Sequence, residues 1–157
     1  MKIRRAVSGE EQKVHDLVRL TCEASWPSIY PQASIDYVIN DLLTPALIKN
    51  RIENCNFYVI EENDKIIGCG GIDVKDEEQT EARIRIFFIN PTFQGKGLGR
   101  KLVETLESDE ILKDVKRIEA PASMFAIPFY KKMGYEHKGG KLNYRDGDFI
   151  MEKFLKR

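Results

Sequence analysis

The chain has 157 residues, of which 42% are apolar and 32% charged, and its 25 Lys and Arg residues balance 25 Asp and Glu residues. A chain of this length forms one domain with one core by default, and we expect that domain over residues 1–157. The balanced charge argues against nucleic-acid-binding proteins, whose domains are usually strongly basic. No run approaches the roughly 20 apolar residues that cross a bilayer, so neither nucleic acid nor membrane is an expected partner.

The cysteines and the start of the chain indicate a reducing compartment. Cys22, Cys55 and Cys69 are odd in number and show no C-x-x-C spacing, which argues against a disulfide framework and against a zinc site. No apolar segment follows the first basic residues, as a secretory signal would require. We therefore expect a cytoplasmic protein with no bound metal, in which the cysteines act as small buried apolar residues.

The first elements are predicted to be a strand and a helix. The strand covers Lys2–Val7, and Ser8 stands three residues before Glu11, which is the spacing of a capping box. The helix that follows should end near Ala24. Its buried stripe is predicted to consist of Val14, Leu17, Val18, Thr21 and Cys22.

Two short helices and two strands are predicted next. One helix lies near Ser34–Leu43, and the other begins with Thr44 as its cap and Pro45 in the first position, where the missing N–H costs little. Asn56–Glu62 and Ile66–Val74 are apolar strands that a polar turn connects.

The middle of the chain contains the clearest strand. Glu81–Ile89 alternates between two faces, and Gly97–Asp109 follows as a helix that buries Leu98, Leu102 and Leu106. One face of the strand is predicted to carry Ala82, Ile84, Ile86 and Phe88, and the other Glu81, Arg83, Arg85, Phe87 and Ile89.

The last third is predicted to contain short strands and one helix. Arg117–Ala120 is a strand, and Ser123–Met133 is a helix that Gly134 terminates. We place the start of this helix near Ser123–Met124, since a much earlier start would cost an internal hydrogen bond at Pro128. Further strands are predicted at Tyr135–Lys138, Leu142–Tyr144 and Phe149–Phe154, with a turn at Asp146–Gly147. This order predicts a mixed α/β (α+β) fold with hairpins early and late and strand–helix units in the middle.

The segment Gln94-Gly95-Lys96-Gly97-Leu98-Gly99, between the predicted strand and helix, carries the clearest chemical signal. Glycines permit positive φ and let a ligand approach the backbone, while the start of the helix presents N–H groups and the positive end of its dipole. Lys96, Arg100 and Lys101 add positive charge. The segment therefore predicts a phosphate or pyrophosphate site, and its alternative is a strand-to-helix turn without a ligand.

Three phosphate-binding patterns can be compared with this segment. A dinucleotide fingerprint requires G-x-G-x-x-G, whereas the glycines here are spaced G-x-G-x-G. A Walker loop requires Gly-Lys-Ser/Thr after four intervening residues, which is missing. Gln94, Gly97 and Gly99 match the third pattern, Q/R-x-x-G-x-G/A, the pyrophosphate loop of acyl-CoA-binding proteins.

With its surroundings, this segment resembles the GCN5-related N-acetyltransferase (GNAT) superfamily. Residues 86–102 are similar to the family's apolar strand, proline-containing turn, loop and amphipathic helix. Residues 122–135 resemble a second family segment and match its F-Y-x-x-x-G-F/Y ending. The resemblance covers essentially the whole chain. It implies one GNAT domain with a mixed, mostly antiparallel sheet of six to seven strands, about four helices and a V-shaped splay between two central parallel strands.

The resemblance also implies an activity, namely transfer of an acetyl group from acetyl-CoA to an amine by direct attack in a ternary complex. Backbone N–H groups of the glycine-rich segment would bind the pyrophosphate, and backbone groups around Phe87–Ile89 would hold the pantetheine arm. An N–H near Ile89 would stabilise the tetrahedral oxyanion. The residues implied to bind the cosubstrate are Phe87, Phe88, Ile89, Gln94, Gly95, Lys96, Gly97, Leu98, Gly99, Arg100, Ser123 and Phe129.

Tyr130 matches the family tyrosine that protonates the departing CoA thiolate. Ser123 stands where many members have an asparagine that contacts the CoA arm, so this contact departs from the family pattern. Lys131 and Lys132 are interpreted as a solvated face, with the CoA 3′-phosphate as the alternative partner.

The attacking amine must be neutral, and a carboxylate is the usual base. Glu81, at the start of the motif strand, is the first candidate, and Glu119, on the opposite strand, is the second. Relatives that work through ordered waters leave a third option. His15 and His137 are interpreted as structural or exposed.

The acceptor pocket of the family lies among the early helices, the motif strand and the late hairpin, which implies Trp26, Tyr30 and Tyr144 as lining residues. The acidic residues Asp73, Asp76, Glu77, Glu78 and Glu81 are interpreted either as a solvated hairpin tip or as an attractive surface for a cationic amine. The acceptor is a small-molecule or peptide amine whose identity stays open, and a homodimer is compatible with the family. The alternative function is a catalytically silent GNAT-fold sensor of acetyl-CoA or a regulator of a protein partner.

Overall fold

The computed structural model describes residues 1–145 and 147–156 of the chain. Its strands are β1 (Lys2–Arg5), β2 (Asn56–Glu62), β3 (Lys65–Val74), β4 (Glu81–Ile89), β5 (Arg117–Ala122), β6 (Glu136–His137), β7 (Tyr144–Arg145) and β8 (Asp148–Phe154). Its α-helices are α1 (Glu11–Ser25), α2 (Gln32–Tyr37), α3 (Pro45–Asn54), α4 (Leu98–Glu107) and α5 (Ile127–Lys132). Asp146 lies outside the described residues, so the turn predicted at Asp146–Gly147 stays a prediction.

The strands form one mixed sheet in the order β1-β2-β3-β4-β5-β8-β6, with β7 paired to β8. β4 and β5 are parallel and pair through Glu81–Arg83 and Arg117–Glu119. β1 is antiparallel to β2, while β5, β6 and β7 are each antiparallel to β8. The predicted fold class is confirmed. The described residues form eight strands and five α-helices, the same numbers that the chain-order predictions contain and more than the resemblance implied.

The chain forms two compact units. The first comprises Met1–Gly71 and Ile86–Leu102, and the second comprises Ile72–Arg85 and Val103–Arg157. β3, β4 and α4 each contribute residues to both units.

In the first unit, side chains alternate along β2 between two apolar clusters. One cluster joins α1 and α3 to the sheet and contains Val14, Leu17, Ile48, Ile52, Phe57, Val59 and Cys69. The other contains Ile60, Ile67, Ile89, Leu98 and Leu102, with Tyr58 and Phe87 packed against it. Both sheet faces are therefore covered, which holds the end of β4 and the first turn of α4 in fixed positions.

In the second unit, α5 packs against β5 and β8. Tyr135 is buried, and its hydroxyl donates to Glu107 Oε2 at 2.8 Å. Lys153 Nζ donates to the same carboxylate at 2.9 Å and to the carbonyl of Met133 at 3.0 Å. These contacts join α4, β8 and the end of α5.

The buried stripe predicted for α1 is confirmed, but the predicted capping box is wrong. Glu10 occupies the N-cap position, and its carboxylate accepts hydrogen bonds from the Val7 N–H at 2.8 Å and from Arg4 Nη2 at 2.7 Å. The Glu11 carboxylate accepts from the Gly9 N–H at 3.0 Å. The helix therefore starts after Glu10, whose side chain pairs with Arg4 and makes no capping hydrogen bond to α1.

α2 also differs from its prediction. It begins at Gln32 and continues into a π-helical turn at Val38–Leu42, which the Leu43 N–H closes on the Val38 carbonyl at 2.8 Å. By contrast, α3 begins as predicted, because the Thr44 hydroxyl accepts from the Leu47 N–H at 3.1 Å.

α5 is shorter than its prediction. It begins at Ile127 rather than near Ser123–Met124, with Ala126 as N-cap and Pro128 in the first turn. Proline is tolerated there because the first N–H groups of a helix have no intrahelical partner. The predicted stop is confirmed by Gly134, whose φ is +92°.

Candidate functional site: the loop between β4 and α4 and the charged face of the second unit

The loop that follows β4 is held by its own polar side chains. The Asn90 side chain accepts from the Thr92 N–H at 2.9 Å and caps the 3-10 turn Pro91–Phe93. Gln94 Nε2 donates to the Ile89 carbonyl at 3.1 Å. The glutamine of the pyrophosphate pattern therefore connects the loop to the end of β4. This contact fixes the direction of the chain at the glycines that follow.

Two glycines in this loop have conformations that other residues rarely adopt. Gly95 has φ +79° and Gly97 has φ +80°, and a Cβ added at either position would meet nothing within 4 Å. Glycine is thus required here by backbone conformation, and the space beside the backbone is open. A ligand can approach this stretch of main chain directly.

The loop leads into the N-terminus of α4, whose first helical bond runs from the Lys101 N–H to the Gly97 carbonyl at 3.2 Å. Buried Leu98 and Leu102 anchor this first turn in the apolar cluster below it. The first N–H groups of a helix have no intrahelical acceptor, and the helix dipole is positive at this end. With exposed Lys96 and Arg100 beside it, the loop has the chemistry of a pyrophosphate site.

β4 carries an irregularity just before this loop. Ile86 has φ +48°, a left-handed conformation that breaks the regular pleat as residues of β-bulges do. Beyond it, Phe88 packs with the side chains of α1 and α2, while Phe87 and Ile89 pack with those of α4. The predicted opposite orientation of Phe88 and its two neighbours is confirmed.

Two of the three predicted acceptor residues lie together in the first unit. The rings of Trp26 and Tyr30 are 5.0 Å apart, and those of Trp26 and Phe88 are 6.5 Å apart. Tyr144 belongs to the second unit, where its ring lies edge-on to Phe149 at 5.1 Å and is 65% exposed. Trp26, Tyr30 and Phe88 thus form an aromatic group in the first unit, and Tyr144 is not part of it.

Tyr130, in α5, is 2% exposed and packs edge-on against Phe129 at 5.3 Å and against Tyr135 at 5.4 Å. Burial raises the pKa of Tyr130 well above its usual 10, and the negative charge of Asp148 adds to the effect. The hydroxyl therefore keeps its proton near neutral pH and can donate a hydrogen bond, but the raised pKa makes it a weaker acid. It cannot act as a base.

Because α5 begins only at Ile127, the first residues of the second family segment lie before the helix and not within it. Ser123 precedes α5, and its carbonyl accepts from the Ala126 N–H at 3.0 Å. Lys131 and Lys132 are exposed, as a solvated face requires.

Glu119, the second predicted base, is the centre of a charged cluster in the second unit. It is 0% exposed, and its carboxylate accepts from Lys75 at 2.5 Å, Lys138 at 3.1 Å and Arg145 at 2.8 Å. Burial alone would raise the pKa of Glu119, but these hydrogen bonds outweigh it and hold the pKa at about 2. A carboxylate this acidic is a poor base near neutral pH.

Glu81 lies at the edge of the same cluster. Arg117 donates to Glu81 Oε1 at 2.5 Å and to Glu152 Oε1 at 3.0 Å, and Lys75 Nζ is 3.9 Å from Glu81 Oε2. The Glu81 side chain is still 35% exposed. Of the two candidate bases, Glu81 alone is accessible.

We name this group the Glu119 cluster: Glu119 with the cations Lys75, Arg83, Arg117, Lys138 and Arg145 and the carboxylates Glu81 and Glu152. The sequence analysis identified only its two candidate bases. The other members come from β4, β5, β7 and β8 and from the turns after β3 and β6. Their distance along the chain hides the cluster from sequence reasoning. The one available signal was the alternation of β4, which places Arg83 on the same face as Glu81.

The cysteines and His15 behave as structural residues. Burial raises the pKa of Cys22 and of Cys69 to about 12. His15 is buried, and its Nε2 lies 2.8 Å from the Ile39 carbonyl. Within residues 1–145 and 147–156, none of the helices has the length and apolar character required to span a membrane.

Comparison with known proteins identifies relatives of this chain. A sequence model of the acetyltransferase (GNAT) domain matches residues 53–137. A histone acetyltransferase, TAP1 of Glycine max, is 25% identical over 129 residues, which cover 82% of this chain and 54% of the relative. An IAA acetyltransferase of Azospirillum brasilense is 26% identical over 86 residues, covering 53% of this chain and 56% of the relative. The chain thus spans about half the length of these curated relatives.

Among solved structures, the PaiA N-acetyltransferase of Thermoplasma acidophilum, in complex with coenzyme A, has a TM-score of 0.83 at 18% identity. The alignment covers 98% of each chain. At this identity the likeness shows the fold.

Proposed function

Because this chain belongs to the GNAT family of acetyltransferases, we propose that it transfers the acetyl group of acetyl-CoA to an amine. The observation that carries the proposal is the loop from Gln94 to Gly99, which combines two positive-φ glycines, open space beside the backbone and the N-terminus of α4. These features match what a CoA pyrophosphate requires.

In this proposal the main chain does most of the binding. The N–H groups of Gln94–Gly99 hold the pyrophosphate, with Lys96 and Arg100 as neighbouring charges. Phe87–Ile89 lie past the segment of β4 that pairs with β5, which ends at Arg83, and their backbone groups hold the pantetheine arm. An N–H near Ile89 stabilises the oxyanion, where one fixed donor typically contributes about 10²–10³-fold.

Tyr130 is proposed to donate its proton to the departing CoA thiolate. The support is its match to the family motif. Burial keeps the hydroxyl protonated, and because burial also raises its pKa, the proton must be transferred through a hydrogen bond already made to the thiolate. Phe129 packs against the Tyr130 ring and limits its movement. Ser123 is proposed to contact the CoA arm with a shorter reach than the asparagine of many relatives.

Glu81 is proposed as the base that takes a proton from the amine, directly or through water. Its exposed fraction favours it over Glu119, which is fully buried and strongly acidic. The contact with Arg117 orients the Glu81 carboxylate. Trp26, Tyr30 and Tyr144 are proposed to contact the acceptor. We expect the reaction to occur in the cytoplasm.

Binding and turnover are tested separately. Acetyl-CoA at about 100 times its Kd should add about 2.7 kcal/mol to the free energy of unfolding and raise Tm by roughly 5–10 °C. No shift with either CoA or acetyl-CoA would contradict the proposal. A screen of amines for CoA release then distinguishes an enzyme from a sensor, which would bind acetyl-CoA without releasing CoA.

A further inference from the structure

Arg83 differs from the other four cations of the Glu119 cluster. Lys75, Lys138 and Arg145 each donate a hydrogen bond to Glu119, and Arg117 donates to Glu81 and Glu152. Among the described residues the Arg83 side chain makes no hydrogen bond, and its one ion pair, with Glu119 Oε1, is 3.8 Å long. Its Nε atom is buried with no partner there.

The neighbours of Arg83 give it little electrostatic compensation. Desolvation by burial is the main cause that lowers the pKa of Arg83, and repulsion from Arg85 and Arg145 adds to it. Glu119 already accepts three hydrogen bonds, one on Oε1 and two on Oε2. The cluster holds five cations against three carboxylates, so it carries excess positive charge.

Acidic residues of β3 and of the turn after it also carry hydrogen bonds near this cluster. Asp73 accepts from Arg85 at 3.1 Å, and Asp76 accepts from the Thr80 hydroxyl and from the Glu81 N–H. Asp73 is therefore paired with a cation, whereas the donors to Asp76 are neutral and leave its negative charge in place.

We propose that Arg83, together with Arg145, binds a carboxylate of the acceptor, which makes the acceptor an amino acid or an amine with a nearby carboxylate. This inference rests on the proposed acetyl transfer. A guanidinium can pair with a carboxylate through two parallel hydrogen bonds from its terminal N–H groups, and among the described residues the terminal N–H groups of Arg83 make no hydrogen bond. The Arg83 side chain is 22% exposed and that of Arg145 40%, so solvent reaches both.

Matched acceptors test the proposal. The probes are the common L-amino acids and their carboxamides, assayed with acetyl-CoA for CoA release. The best acid should exceed its amide by about 10- to 100-fold in kcat/KM, the range expected for charge-assisted hydrogen bonds. Arg83→Gln should remove this preference by lowering kcat/KM for the acid, and Arg83→Lys should restore part of it.

Arg85→Gln is the matched control, because it removes the same charge from the same strand at a guanidinium that already has a partner in Asp73. It should change the acid-to-amide ratio by less than about threefold. Arg83→Gln should not lower Tm, because an arginine without hydrogen bonds adds little stability. A lower Tm with an unchanged ratio would mean a structural role and would overturn the proposal.

A binding assay separates this proposal from the proposed function. Succinate should raise the Tm of the wild type above that in sodium chloride of equal ionic strength, and succinamide should not. Arg83→Gln should abolish the succinate effect. If no amine releases CoA but succinate acts through Arg83, acetyl transfer is wrong and the carboxylate site stands. Equal use of acids and amides, or no effect of succinate on the wild type, would overturn the carboxylate site alone.

Discussion

Replacing Glu119 with glutamine should destabilise the protein by roughly 3 kcal/mol at neutral pH. Burial alone would raise the pKa of this carboxyl, but hydrogen bonds from Lys75, Lys138 and Arg145 lower it from 4.5 to about 2. At about 1.36 kcal/mol per pKa unit, the depression corresponds to roughly 3 kcal/mol. Breaking a buried ion pair typically costs about 3–5 kcal/mol, so the two magnitudes agree. The expected fall in Tm is roughly 6–12 °C for a chain of this length.

The direction of the pH dependence follows from the depressed pKa. The stabilisation by Glu119 is fully present above its unfolded-state pKa of 4.5 and is lost as the pH falls towards about 2. By about pH 3.5, roughly 1 to 2 kcal/mol of it should be gone. Urea denaturation of the wild type and of Glu119→Gln between about pH 7 and 3.5 measures both quantities.

Glu77→Gln is the control for this experiment, because Glu77 is exposed and its loss should change stability by less than about 0.5 kcal/mol. The reasoning is refuted if Glu119→Gln costs less than about 1 kcal/mol at neutral pH. It is also refuted if the difference from the wild type does not shrink in acid.

Three further substitutions test the loop, the proposed acid and a helix cap. Tyr130→Phe should lower kcat in steady-state assays while calorimetry shows acetyl-CoA affinity within about twofold of the wild type, and an unchanged kcat would remove Tyr130 from the mechanism. Gly97→Ala, at φ +80°, should cost about 1 kcal/mol of stability and weaken acetyl-CoA binding at least about tenfold. Gly9→Ala, at φ +104°, should cost similar stability without affecting binding, and equal binding losses would contradict the loop's role. Thr44→Ala should lower the free energy of unfolding by about 1 kcal/mol in urea titrations, since it removes the bond from the Leu47 N–H, and no measurable loss would contradict that capping role.

The differences between prediction and structure have local physical causes. The start of α1 was misplaced because the carboxylate of Glu10 is engaged by Arg4, a residue on β1 that no helix-capping rule considers. The start of α5 was misplaced because Pro128 fits equally well in a first turn that begins at Ile127. Strand bounds such as those of β4 were predicted well, since alternation is written directly in neighbouring residues.

The order of the elements, the glycine-rich loop and the family followed from the sequence by itself, because each depends on residues that are close together along the chain. The tertiary structure alone decided the state of the charged side chains. Glu119 was a candidate base until Lys75, Lys138 and Arg145, from three distant segments, were seen to surround it. The same convergence left the Arg83 side chain without a hydrogen bond among the described residues. Electrostatic environment depends on distances in space, and contacts between remote segments have no fixed spacing in a sequence.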